Sequence, residues 1–102
     1  MSEFEELQGL IRTFAEKRGW ERFHTPKNLS MAVAGEAGEL VAEFQWLTEA
    51  DSKLGELSAE KLGGIEMEVA DVAIYLLRLA DVLEIDIPAA VRKKMELNES
   101  RF

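Results

Sequence analysis

Cysteine is absent from this 102-residue chain, which excludes disulfides, thiolate metal sites and cysteine nucleophiles together. That absence fits a reducing interior, and a cytoplasmic location is expected. Basic residues are scarce: 12 Lys and Arg face 20 Asp and Glu, for a net charge of −8. A nucleic-acid polymer, which is gripped through its phosphates by a basic footprint, is therefore not an expected partner. A small phosphorylated ligand stays open, provided that a bound cation reverses the local sign. No apolar run reaches the length of a membrane span, so no membrane partner is expected. The start, Met-Ser-Glu-Phe-Glu-Glu, lacks a basic region followed by an apolar one, and no signal peptide is expected. Nor does any stretch show the strict two-residue alternation of a half-exposed strand.

What is present describes one soluble globular domain over residues 1–102, with 47% hydrophobic and 31% charged side chains. Four helical segments are predicted. The first runs from Ser2 to Arg18, with Phe4, Leu7, Leu10, Ile11 and Phe14 at helical spacing and Gly19 as its stop. Thr25-Pro26 opens the second as N-cap and first-turn proline, and the pattern continues to about Glu49. Gly35 and Gly38 interrupt it at a cost of about 2 kcal/mol in helix propensity, so their bare backbone is expected to admit a neighbouring helix or a ligand. A polar loop over residues 50–56 leads to a third helix from about Ser58 to Glu84, in which Gly63-Gly64 is expected to fray or kink the first turns. Past Glu68 this helix is apolar on two sides, with Ala70, Ala73 and Leu77 opposite Val72, Leu76 and Leu79. Two apolar faces in so small a domain suggest that another subunit covers one. Asp86 caps a fourth helix that carries Lys93, Lys94, Asn98 and Arg101. The expected fold is an all-α, four-helix protomer whose bundle is completed by oligomerisation.

Four carboxylates stand out: Glu36 and Glu39 in an ExxE pair, Glu68 and Asp71 in an ExxD pair. Residues three apart share a helix face about one turn apart, so each pair aims two carboxylates at one place. Stepping ~100° per residue puts Glu39 and Glu43 within about 60° of Glu36, in the stripe of Leu29, Ala32, Leu40 and Leu47. Glu68 lies about 60° from Asp71, bordering the stripe of Ile65, Val72, Leu76 and Leu79. Carboxylates crowded in a half-dry cleft repel and lose hydration, so they take up protons or gather cations. Oxygen-only donors favour Mg²⁺, with Mn²⁺ as the alternative. The competing reading pairs these acids with Lys or Arg along a surface seam, and Glu43 fits a boundary residue reaching solvent equally well.

The strings around these acids resemble a known family. Phe23-His24-Thr25-Pro26-Lys27-Asn28-Leu29, Gly35-Glu36-Ala37-Gly38-Glu39-Leu40, Phe44-Gln45-Trp46, Glu68-Val69-Ala70-Asp71-Val72-Ala73-Ile74-Tyr75-Leu76 and the run from Lys94 to Phe102 are similar to the MazG-like all-α nucleoside triphosphate pyrophosphatases. Within that family they look most like the dCTP pyrophosphatase branch. The resemblance implies Mg²⁺-dependent hydrolysis of a deoxynucleoside triphosphate to its monophosphate and pyrophosphate in nucleotide-pool house-cleaning. It favours dCTP, with dATP or modified pyrimidines beside it, and implies a homodimer or homotetramer. The same reaction on dUTP or noncanonical nucleotides is one alternative; a non-catalytic helical regulator is another.

The resemblance assigns metal binding to Glu36, Glu39, Glu68 and Asp71, and Glu36 or Glu39 would take the proton of the attacking water. Lys94, Asn98 and Arg101 would hold phosphate oxygens, whereas Lys93 fits a complement to the last-turn dipole as well. Trp46 and Tyr75 are candidates for stacking on the base, with Trp20 in support; Phe23 fits the core better. His24 could contact nucleotide or bond backbone in a turn, and Asn28 could touch sugar or phosphate or help cap the second helix. The first helix departs from close dCTP-preferring relatives, which place a more polar, base-facing side chain where Ile11 and Arg12 stand.

Overall fold

Capping chemistry decides where the helices begin. The computed structural model describes residues 1–102 and contains α1 (Glu3–Lys17), α2 (Pro26–Phe44), α3 (Ala59–Val82) and α4 (Ile87–Arg101). Each is opened by a side-chain oxygen that accepts the N–H three residues on: Ser2 from Glu5, Thr25 from Asn28, Ser58 from Lys61 and Asp86 from Ala89. Each cap satisfies one of the N–H groups that a helix start leaves orphaned, a contribution of about 1 kcal/mol.

Two helices also end alike. Gly19 turns into the left-handed region at φ 65°, and the Trp20 N–H reaches back to the Ala15 carbonyl at 3.0 Å. At the end of α3, Glu84 takes the same turn at φ 57°, and the Ile85 N–H reaches the Ala80 carbonyl at 2.8 Å. Both are Schellman closures, but the second is built on a residue that pays for its Cβ.

The second helix stops at Phe44, five residues short of the sequence expectation. Local bonds compete with it: Thr48 Oγ1 accepts from the Asp51 N–H at 3.1 Å, and the Ser52 hydroxyl donates to the Glu49 carbonyl at 2.7 Å. Short polar side chains offer the backbone a turn instead of another helical step. Trp46 therefore lies in the turn after α2 rather than on it.

The structure also bears on the glycines. A Cβ at Gly35 or Gly38 would meet nothing, so no helix of this chain approaches there. Nor do Gly63 and Gly64 break α3, which runs through both. At Gly64 a Cβ would make only ordinary contact, 3.4 Å from the Glu43 carboxylate, which crosses from α2 to pair with Lys61 at 2.9 Å.

α3 is the central element, packed along α2 and more briefly against α1. The buried apolar residues come from all three: Ala15, Leu29, Ile65, Leu77 and Ala80. α4 buries nothing. The radius of gyration, 16.2 Å, exceeds the roughly 13 Å of a close-packed domain of this size. Val69, Ile74 and Leu76 on α3 remain at least two-fifths exposed.

Candidate metal centre and adjoining pocket

The long α2–α3 contact brings the two acid motifs together. Carboxylate oxygens of Glu36, Glu68 and Asp71 all lie within 4.8 Å of one another, and all three residues are half-buried. None has a cationic partner, since the ion pairs of the protein are Arg12–Asp81, Arg78–Asp81 and Lys61–Glu43. Within the protomer, Glu43 is paired with a lysine and these three acids are not. Glu39 is exposed one turn further along α2, outside the converging group.

The electrostatic consequence falls on Glu68, whose carboxyl is held above the usual range. Desolvation is the main cause, followed by the charge of Asp71 and then of Glu39, Glu36 and Glu43. Such a group releases its proton most readily when a cation replaces it. Oxygens around one Mg²⁺ stand at most ~4.2 Å apart, twice a metal–oxygen distance of about 2.1 Å, so a small side-chain movement would suit the triad to the ion. The donor set, all carboxylate, fits a hard divalent cation.

Three of the base-site candidates gather one to two turns further along α3. Trp20, His24 and Tyr75 line a small cavity with Ile11, Phe14, Ala15, Ile74 and Arg78. Trp20 stands edge-on to Phe14, with ring centroids 5.7 Å apart. Trp46 and Asn28 are not part of it. Trp46 is 89% exposed, and the Asn28 amide donates to the Phe23 carbonyl at 3.0 Å, tying the first turn of α2 to the segment before it.

Against known proteins, no family model matches the chain. The crystal structure of a pyrophosphatase from Archaeoglobus fulgidus is 43% identical and superposes with a TM-score of 0.90, covering 100% of this chain and 94% of that one. The chain belongs to the MazG-like all-α pyrophosphatases. In this family, dCTP pyrophosphatase 1 of Homo sapiens is 40% identical over 98 residues, and that of Rattus norvegicus 39%. Each match takes in 96% of this chain, which spans 58% of the length of these curated relatives.

The phosphate candidates of this pyrophosphatase-family chain form a separate surface. Lys94, Asn98 and Arg101 follow one another at i, i+4 and i+7 on one face of α4. Within the protomer no hydrogen bond or ion pair joins them to the acids.

One cluster escaped the sequence reading. Arg78 is only 7% exposed, although it lies in the apolar stretch of α3. Its Nε donates to His24 Nδ1 at 3.1 Å, and its Nη1 donates to Asp81 at 3.2 Å. Arg12 reaches the same Asp81 from α1 with two bonds of 2.8 and 2.7 Å. This fork holds the Asp81 carboxyl below its usual range, the Arg12 hydrogen bond being the largest cause. His24 is pushed down as well, first by desolvation and then by the Arg78 charge. The available signal was an arginine with apolar neighbours on both sides of its helix, which needs an acid partner within reach.

Proposed function

We propose that this protein hydrolyses a deoxynucleoside triphosphate to the monophosphate and pyrophosphate, with Mg²⁺ held by Glu36, Glu39, Glu68 and Asp71. The observation that carries this is the unneutralised Glu36–Glu68–Asp71 group on the paired faces of α2 and α3. A divalent cation there would neutralise triphosphate charge and orient a water for in-line attack. The acids would hold that cation, whose charge would favour the ionised form of the Glu68 carboxyl that desolvation and its acid neighbours disfavour. Glu39, beside the group and exposed, is better placed than Glu36 to accept the proton of the attacking water. Mn²⁺, with similar demands, would substitute.

Membership in the family and relatives named dCTP pyrophosphatase 1 favour dCTP as substrate, ahead of dATP or modified pyrimidine nucleotides. The open shape of the protomer, with Leu10, Met31, Val41 and Met67 exposed, supports a homodimer or homotetramer. Association would also offer the α4 face, with Lys94, Asn98 and Arg101, a triphosphate held by a neighbouring acid group. No helix is long and apolar enough to cross a membrane.

The test is pyrophosphate release from a panel of deoxynucleoside and ribonucleoside triphosphates, with Mg²⁺, Mn²⁺ or EDTA. Metal-dependent release with dCTP turned over fastest is the expected result. Equal release in EDTA would overturn the metal assignment, and a preference for dUTP or a noncanonical nucleotide would replace dCTP.

A further inference from the structure

The Arg78 guanidinium is more committed than a surface arginine and less committed than a structural one. Nε and one Nη1 hydrogen are used by His24 and Asp81, and no protein acceptor meets the remaining N–H groups. No fully buried side-chain nitrogen lacks a partner, so Nη2, which has none, is within reach of solvent, and Arg78 is among the residues that line the cavity. Because His24 Nδ1 accepts from Arg78, the neutral imidazole carries its proton on Nε2, which also has no protein partner. The rest of the cavity wall is Ile11, Phe14, Ala15, Trp20, Ile74 and Tyr75. Two uncommitted donors against an aromatic wall make a surface complementary to a flat ring that carries an acceptor. Arg78 lies seven residues, ~10 Å of helical rise, beyond Asp71, a separation that a nucleoside joining its base to its phosphates would bridge.

We propose that Arg78, aimed by His24 and Asp81, is a specificity-determining residue that donates hydrogen bonds to a carbonyl oxygen of the substrate base. This rests on the nucleotide reading above. Asp81 and Arg12 are positioning residues: they fix the guanidinium plane without reaching the ligand. Ile11 supplies apolar wall in the same cavity and leaves base recognition to α3 and His24.

The unaltered enzyme provides the first test. Pyrimidine deoxynucleoside triphosphates are compared with their 2-thio and 4-thio counterparts, in which sulfur, a weak acceptor, replaces one carbonyl oxygen. A hydrogen bond from a charged donor predicts a kcat/KM about tenfold lower at the position that is read. Equal kcat/KM at both positions overturns the proposal whatever any variant does. The second test is Arg78→Met, which keeps the stem and removes the donors. The expected result is that the oxygen-to-sulfur ratio collapses toward one through KM, with kcat little changed. A stable variant that keeps the ratio also overturns it. If no triphosphate is turned over, the nucleotide-hydrolysis reading fails by itself. Calorimetric titration with the corresponding deoxynucleoside monophosphates then decides the pocket: tenfold weaker binding of one thio analogue supports it, and equal or no binding of all overturns it.

Discussion

Two carboxylates thirteen positions apart on one helix, Glu68 and Asp81, are treated in opposite ways. Asp81 meets two guanidinium groups and ionises more readily than a free carboxyl. Glu68 meets only other acids and ionises less readily. The first is a finished ion pair that ties α1 to α3; the second has no cationic partner in the chain, as the proposed metal site requires. Local pairing rather than residue type separates a strut from a site, and α3 carries both within about four turns.

The contrast is easiest to break at the acid group. Glu68→Gln and Asp71→Asn should each lower metal-dependent kcat/KM at least about 100-fold, the scale set by loss of a positioned charge at a reaction centre. Neither should lower the melting temperature in EDTA, because each removes repulsion. A less stable variant in EDTA would show that these acids are structural.

Asp81→Ala should act the other way, sparing the metal centre while costing about 2 kcal/mol in urea unfolding, since it strands the buried Arg78 charge. Arg12 is half-exposed, and its loss should cost about 0.5 to 1 kcal/mol. If the two variants cost the same, the buried Arg78 contact adds nothing.

Glu84→Gly provides a calibration that touches neither carboxylate. Relief of the left-handed strain should add about 0.5 to 1 kcal/mol and raise the melting temperature by about 4 °C. No change would mean that Glu84 gains elsewhere what its backbone loses.

The smallest effect concerns pH. His24 titrates below its ordinary 6.5 in the folded chain, so the unfolded chain binds the proton first. Its contribution is present above about pH 6.5 and is lost as pH falls through that value toward the lower folded one. Asp81 behaves likewise below its ordinary 3.8, whereas the raised Glu68 has the opposite sign in metal-free protein, which gains stability as pH falls through the range just above 4.5. Urea midpoints in EDTA between pH 7 and 5.5 should fall less in His24→Gln than in the unaltered chain. Equal slopes would remove His24 from the network.

Helix starts were legible because a cap is a local event: Thr25 and Asp86 bond to N–H groups three residues on, whatever the rest of the chain does. The acid motifs were legible for a related reason, since i, i+3 spacing places Glu68 beside Asp71 on any helix. The early end of α2 was not, because the turn bonds of Thr48 and Ser52 compete with continued helix at positions where the apolar pattern still runs. Glu84 in a left-handed turn carries no glycine to announce it. The family strings pointed to Trp20, His24 and Tyr75, yet only the packed chain puts them around one cavity and leaves Trp46 outside it.

The sequence by itself determined an all-α chain with two acid pairs at i, i+3 spacing on its helices, because periodicity, caps and motif spacing act within a few residues. Tertiary structure decided which acids converge and which cations neutralise which carboxylates. Arg12 lies 69 positions from Asp81, and His24 lies 54 from Arg78. Electrostatic partnership depends on distance in space, and only the packing of α1 and α2 against α3 sets that distance.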